Sequence, residues 1–139
     1  MTKILLVEDS KFLRIATERA LARAGYSVIT GEDGEDALAL AREEKPDLIL
    51  LDMLLPKMTG PDVLKALKNA PATCEIPVVA FTGLSAKNAT RLKHDGAFAF
   101  LDKSDLSLDK GSDRLLSAIA EIVRELNLEL PAASQAARG

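Results

Sequence analysis

Tryptophan is absent from this chain, and aromatic residues of all kinds make up only 4% of its 139 residues. Any core must therefore be built from aliphatic side chains. The 47% of hydrophobic residues is enough to supply one, which excludes disorder as the default state. Cysteine occurs once, as Cys74, so neither an intrachain disulfide nor a metal cage of cysteine thiolates can form. Histidine also occurs once; His94 stands near the end of a polar segment before Gly96, where it suits a surface site favoured by a helix dipole better than a catalytic one. No apolar run approaches the roughly 18 residues of a membrane span, and no secretory signal opens the chain, so a cytoplasmic protein is expected. Neither sign of charge dominates. Eighteen Lys and Arg stand against 21 Asp and Glu, a net charge of -3 that gives no electrostatic drive towards nucleic acid or an anionic membrane.

What is present is a regular alternation of apolar runs with amphipathic segments, on a length that suits one domain. Lys3 to Val7 is a short aliphatic run that ends abruptly in Glu8-Asp9, and its length and branching predict a buried strand. Ser10 is placed to cap the helix that follows, with Leu13, Ala16, Ala20, Leu21 and Ala24 on one face and Gly25 as its stop. Tyr26 to Thr30 predicts a second strand. Asp33-Gly34 reads as a turn, and Ala37, Leu38 and Ala41 as the inner face of a helix ending near Lys45-Pro46, where the run Arg42 to Lys45 is solvated surface. Leu48 to Asp52 is a third strand, apolar until its last residue. Pro61 then suits the first turn of a helix carrying Val63, Leu64 and Leu67 inward. Pro77 to Thr82 and Phe98 to Lys103 predict two further strands, separated by a weak helix over Ser85 to Asp95 with Ala89 and Leu92 inward. Cys74 precedes the fourth strand in a proline-flanked loop, as a tolerated thiol. The last helix, Asp113 to Leu126, carries Leu115, Leu116, Ile119, Ile122, Val123 and Leu126 as a continuous stripe. A domain over residues 1–127 is therefore expected, with residues 128–139 as a flexible tail or linker stump.

Strands that are almost wholly apolar, each followed by a helix, require a parallel sheet covered on both faces. Right-handed crossovers leave few topologies. The expected fold is a doubly wound α/β domain with a five-stranded parallel sheet in the flavodoxin-like order 2-1-3-4-5, a (β/α)5 arrangement.

In such a sheet, chemistry gathers beyond the carboxyl ends of the strands, at the switch point between strands 1 and 3. Those ends carry Glu8-Asp9, Asp52, Thr82 and Lys103, so five polar groups scattered through the sequence converge on one rim. Crowded carboxylates repel one another, so their charge must be relieved by shifted pKa or by a bound cation, and an all-oxygen set with open positions suits Mg²⁺. A carboxylate beside that cation is able to attack phosphorus, while Lys103 and the Thr82 hydroxyl hold phosphoryl oxygens.

These residues strongly resemble the receiver domains of two-component response regulators. The resemblance covers residues 2–126 and rests on Glu8-Asp9, the segment from Leu50 through Asp52 and Pro56 to Gly60, the pair Thr82-Gly83, and Phe100-Leu101-Asp102-Lys103. It implies that Asp52 accepts phosphate from the phosphohistidine of a sensor histidine kinase or phosphotransfer protein. It also implies that Asp9, Asp52 and the backbone carbonyl of Leu54 ligate Mg²⁺, with Glu8 acting through bound water. Thr82 and Phe100 would be a switch pair, and Leu54 and Leu84 would flank the path of the hydrolytic water and tune dephosphorylation. No cofactor other than Mg²⁺ is implied. The chain would be no enzyme beyond its own phosphorylation and dephosphorylation, and would act as a monomer or phosphorylation-promoted dimer on an unnamed output partner. Two features depart from the family pattern: Ser104 follows Lys103 where Pro is usual, and the stretch from Ser104 to Ser112 is longer than the usual connection. The bond before a non-proline residue strongly prefers trans, so a trans Lys103-Ser104 peptide is expected.

Other readings fit less well. A phosphorylation-independent pseudo-receiver would have lost a member of the acidic pair, the acceptor or the lysine. An aspartyl-phosphate phosphatase would need a second acid two residues after Asp52, where Leu54 stands. A flavin carrier would not place Glu8-Asp9 against a phosphate. Phe100 also suits a plain half-buried core position.

Overall fold

The computed structural model describes residues 2–82, 91, 93–102 and 113–128, without the side chains of Thr82, Asp102 and Asp113. Its elements are β1 (Lys3–Val7), α1 (Lys11–Arg23), β2 (Ser27–Gly31), α2 (Gly34–Glu44), β3 (Leu48–Asp52), α3 (Gly60–Asn69), β4 (Val78–Thr82), β5 (Ala99–Asp102) and α4 (Asp113–Glu125). The five strands form one sheet in the order β2-β1-β3-β4-β5, and every pairing is parallel.

Period-2 alternation divides the sheet's side chains into two layers. Leu5, Val7, Ile49, Leu51, Val78 and Ala80 face α2 and α3, packing on Ala37, Ala41, Val63, Leu64 and Leu67. Ile4, Leu6, Leu48, Leu50, Val79 and Phe81 face the other way, against Leu21 of α1 and Leu115, Ile119, Ile122 and Val123 of α4. Ile4 to Val7 of β1 and Leu48 to Leu51 of β3 are fully buried on both faces, which is why those runs show no polar alternation. At about 1.5–3 kcal/mol for each large aliphatic side chain removed from water, this double core is the main stabilising term.

Local signals set most boundaries. Ser10 caps α1, its Oγ accepting from the Leu13 amide at 3.4 Å. The end of α1 is a Schellman motif: Gly25, at φ 102°, donates to Ala22 O, and Tyr26 donates to Leu21 O. Tyr26 thus closes the helix and packs beside Leu21, so β2 begins one residue later than the sequence pattern predicts and runs to Gly31. α1 also buries Thr17 with Ala20 and Leu21, while Leu13 and Ala16 are only half-buried. Asp33-Gly34 is not a free turn. Asp33 is the N-cap of α2, its Oδ1 accepting from the Asp36 amide at 2.9 Å, and Gly34 is the first helical residue. Lys45 ends α2 in the left-handed region, as Pro46 requires a halt. Asn127 at φ 61° performs the same closure after α4, turning Leu128 back onto the core.

The expected helix over Ser85–Asp95 lies largely outside the described residues. Arg91, Lys93 and His94 are helical, and Gly96 ends that turn at φ 118°. Leu84, Ala89, Leu92, Lys103, the Lys103-Ser104 peptide and residues 129–139 also lie outside them.

Candidate functional site

The parallel register of β1 and β3 pairs Val7 with Leu51, so the residues that follow, Glu8 and Asp52, emerge side by side at the carboxyl rim. Glu8 and Asp52 are each only 1% exposed, whereas Asp9 is exposed. Glu8, Asp9 and Asp52 each bring a carboxylate oxygen within 4.8 Å of the other two. Both buried carboxylates are oriented by the amide two residues on. The Ser10 N–H donates to Glu8 Oε2 at 3.2 Å, and the Leu54 N–H donates to Asp52 Oδ1 at 3.0 Å. Such local bonds are typical of acidic side chains at turns, and they fix the aim of each carboxylate.

Like charges this close repel one another, and a bound cation would relieve that repulsion. The donor set is all oxygen, and no sulfur or imidazole joins it. This fits a hard cation such as Mg²⁺, which binds through one or two carboxylates and keeps several waters, and it does not fit the softer metals. Among the described residues no other group of acidic, imidazole or thiol side chains is close enough to hold an ion.

The loop from Met53 to Thr59 folds back over the end of β3. The Gly60 amide donates to Met53 O at 3.1 Å, the Met58 amide donates to Pro56 O at 2.6 Å, and Lys57 takes φ 66°. A Cβ on Gly60 would lie 2.3 Å from Met53 Cα and 2.9 Å from Asp52 O, so only glycine lets α3 begin this close to the end of β3. Lys57 also reaches Asp33 Oδ2 at 3.7 Å, tying the loop to the start of α2. The Leu54 side chain is 59% exposed beside this rim.

Of the remaining residues expected at the site, Thr82 ends β4, and Asp52 pairs with Phe81 immediately before it. Phe100 on β5 pairs with Ala80 and is half-buried against the layer beneath α3. Lys103 comes directly after Asp102, the last residue of β5. His94 is exposed and Cys74 half-buried, with its Sγ 3.8 Å from Pro71 O.

Sequence reasoning passed over two residues. Arg14 donates from Nη1 to the carbonyl oxygens of Glu8 at 3.0 Å and Asp9 at 3.3 Å, and its Nη2 lies 3.0 Å from Glu32 Oε1. The available signal was topological: β1 beside β2 sets Glu32 next to Glu8, and Arg14 is one helical turn past the cap at Ser10.

This fold, with three carboxylates at its switch point, is that of a signalling receiver module. The chain belongs to the response regulator receiver domain family, whose model matches residues 4–115. It is therefore a receiver domain of the two-component systems, a signalling module and not an enzyme in the usual sense. It is 39% identical over 109 residues to a gliding motility regulatory protein of Myxococcus xanthus, an alignment covering 77% of this chain but 14% of that protein. It is 36% identical to the polar-differentiation response regulator DivK of Brucella anthropi, covering 72% of this chain and 82% of DivK. Among solved structures it is similar to the chemotaxis protein CheY4 of Vibrio cholerae, with 30% identity and a TM-score of 0.76 over 87% of this chain and 98% of that one. Several curated relatives are much longer: the alignment with the transcriptional regulatory protein AfsQ1 of Streptomyces coelicolor covers 35% of that protein. No helix among the described residues is long and apolar enough to cross a membrane.

Proposed function

We propose that this chain is a phosphoacceptor, taking a phosphoryl group on Asp52 from the phosphohistidine of a sensor histidine kinase or phosphotransfer protein. The observation that carries this reading is the buried Asp52 carboxylate held by the Leu54 amide, with Glu8 and Asp9 oxygens within 4.8 Å of it. Glu8, Asp9, Asp52 and the Leu54 backbone carbonyl would hold Mg²⁺, which when bound offsets the negative charge gathered by the carboxylates and the incoming phosphoryl oxygens.

The carboxylate of Asp52 is the nucleophile. As it bonds to phosphorus, the phosphorus–nitrogen bond of the donor breaks and the electron pair leaves with the imidazole. Burial of Asp52 and the fixed amide at Oδ1 restrict its rotation, so it meets phosphorus in one orientation. Lys103 at the end of β5 would hold a phosphoryl oxygen as a point charge, and the Thr82 hydroxyl would donate to another. Thr82 and Phe100 then form the switch: the hydroxyl moves to the phosphoryl group and the ring follows into the space behind it. Leu54 and Leu84, which cannot orient water by hydrogen bonds, would slow hydrolysis and give a long-lived phosphoryl group.

The chain thus promotes only its own phosphorylation and dephosphorylation, with residues 1–127 as the working unit. Its place is the cytoplasm, where the kinase presents its phosphohistidine. The decisive experiment is incubation with a small phosphodonor and Mg²⁺, followed by intact mass. The wild type should gain one acid-labile phosphoryl group, and Asp52→Asn, which keeps shape but loses the nucleophilic charge, should gain none. No uptake by the wild type would favour a phosphorylation-independent binding module, and uptake by Asp52→Asn would place the acceptor elsewhere.

A further inference from the structure

Arg14 takes no part in the chemistry above, yet its guanidinium grips the backbone of the acidic pair. One nitrogen donates to two consecutive carbonyls, Glu8 O at 3.0 Å and Asp9 O at 3.3 Å, and a second meets Glu32 Oε1 at 3.0 Å. The Arg14 side chain is only 12% exposed, while Glu32 is 68% exposed, so the fork is enclosed at the carbonyl end and anchored from the solvent end. The rest of this turn is held by the Glu8 amide on Gly31 O at 3.1 Å and the Ser10 amide on Glu8 Oε2.

Asp9 differs from its two neighbours. Glu8 and Asp52 are buried and oriented by backbone amides, but Asp9 is exposed, and among the described residues no hydrogen bond holds its carboxylate. Among the described residues its side chain therefore follows its backbone, and Arg14 is a side chain that holds that backbone through Glu8 O and Asp9 O. We infer that Arg14 is a positioning residue for the cation site, holding the Glu8-Asp9 turn so that the Asp9 carboxylate converges on those of Glu8 and Asp52. This rests on the reading that the three carboxylates take Mg²⁺.

Two effects of the side chain oppose each other. Its fork orders the turn, which favours cation binding, while its positive charge disfavours it. Arg14→Lys separates them, because lysine keeps the charge but replaces a rigid planar fork by one flexible point donor. If Arg14 acted only through charge, that variant would bind Mg²⁺ as the wild type does. Glu32→Asp likewise keeps charge while shortening the anchor, and it carries the test should Arg14→Lys not fold.

The measurement is a Mg²⁺ titration of the full chain followed by amide NMR shifts, beside the melting temperature without metal. Arg14→Lys should weaken Mg²⁺ binding by about tenfold, the scale on which partners of metal ligands act, and Glu32→Asp should weaken it by a smaller factor. The control is Thr73→Val, which removes a buried hydrogen bond from Thr73 Oγ1 to Leu67 O (2.7 Å). It should lower the melting temperature and leave Mg²⁺ affinity unchanged. Wild-type affinity in both Arg14→Lys and Glu32→Asp would overturn the inference alone, as would an equal loss of affinity in Thr73→Val. Absence of saturable Mg²⁺ binding in the wild type would overturn the cation reading itself and the inference with it.

Discussion

Adding one methyl group at Gly60 should destabilise the chain and disturb the proposed acceptor site together. Gly60 is the first residue of α3, and its amide donates to Met53 O at 3.1 Å. An alanine Cβ there would lie 2.3 Å from Met53 Cα and 2.9 Å from both Met53 C and Asp52 O. Carbon atoms in comfortable contact stand about 3.5–4.0 Å apart, so either the helix start withdraws or the Asp52-Met53 peptide moves. The obstacles are backbone atoms and cannot swing aside as a side chain would. Overpacking of this kind costs about 1–3 kcal/mol, a large share of a net stability of about 5–15 kcal/mol.

Gly34 is the internal comparison. A Cβ there would meet Val63 Cγ2 at 2.8 Å, Met58 Cβ at 2.9 Å and Met58 Sδ at 3.0 Å, all side-chain atoms, with methionine the most adaptable of residues. Neither glycine is among those with positive φ, so space alone distinguishes the two. In urea unfolding, where the slope is about 1–3 kcal/mol per molar for small proteins, Gly60→Ala should lower the midpoint clearly and Gly34→Ala by much less. Phosphorylation from a small donor should fall in Gly60→Ala even in the absence of denaturant, because the peptide that moves carries Asp52. A Gly60→Ala midpoint equal to or above that of Gly34→Ala would refute the steric reasoning.

Asp9→Ala removes one of three converging carboxylates. It should weaken Mg²⁺ binding by more than tenfold while raising the metal-free melting temperature slightly, both read by thermal unfolding with and without the ion. Burial raises the pKa of the Tyr26 phenol, and nearby Arg124 only partly opposes this. The folded state therefore holds that proton more tightly than the unfolded one, and the resulting stability is complete below the ordinary phenol value of about 10 and lost as pH rises beyond it. Tyr26→Phe should flatten the alkaline limb of a stability-against-pH curve, with little change in its slope near neutrality.

The strands were the most legible part of the sequence because β1 and β3 are buried on both faces. A run such as Leu48-Ile49-Leu50-Leu51 admits no amphipathic helix or half-exposed strand of its length, and the structure places β3 at the expected Leu48–Asp52. The cap at Ser10, the proline in the first turn of α3 and the stripe on α4 were equally plain, since each is a local preference. Less legible were Asp33-Gly34 and Tyr26. An Asp-Gly pair signals a turn and a helix cap alike, and only the Asp36 amide on Asp33 Oδ1 decides between them. Tyr26 has the composition of a strand residue, but its amide is taken by Leu21 O.

The sequence by itself determined that this protein is a parallel α/β domain whose polar residues end apolar runs, because strand ends and burial are written in local composition. It also brought Glu8, Asp9 and Asp52 to one rim, since parallel strands all point their carboxyl ends the same way. Which core layer each residue joins was decided only in three dimensions. Leu50 and Leu51 are chemically identical neighbours, yet one packs towards α1 and α4 and the other towards α2 and α3. The Arg14 fork and the approach of Gly60 to Met53 were likewise settled in three dimensions. Each brings together residues only a few positions apart in the chain, but at distances set by how a helix start packs against a strand end, not by the preferences of the residues that meet.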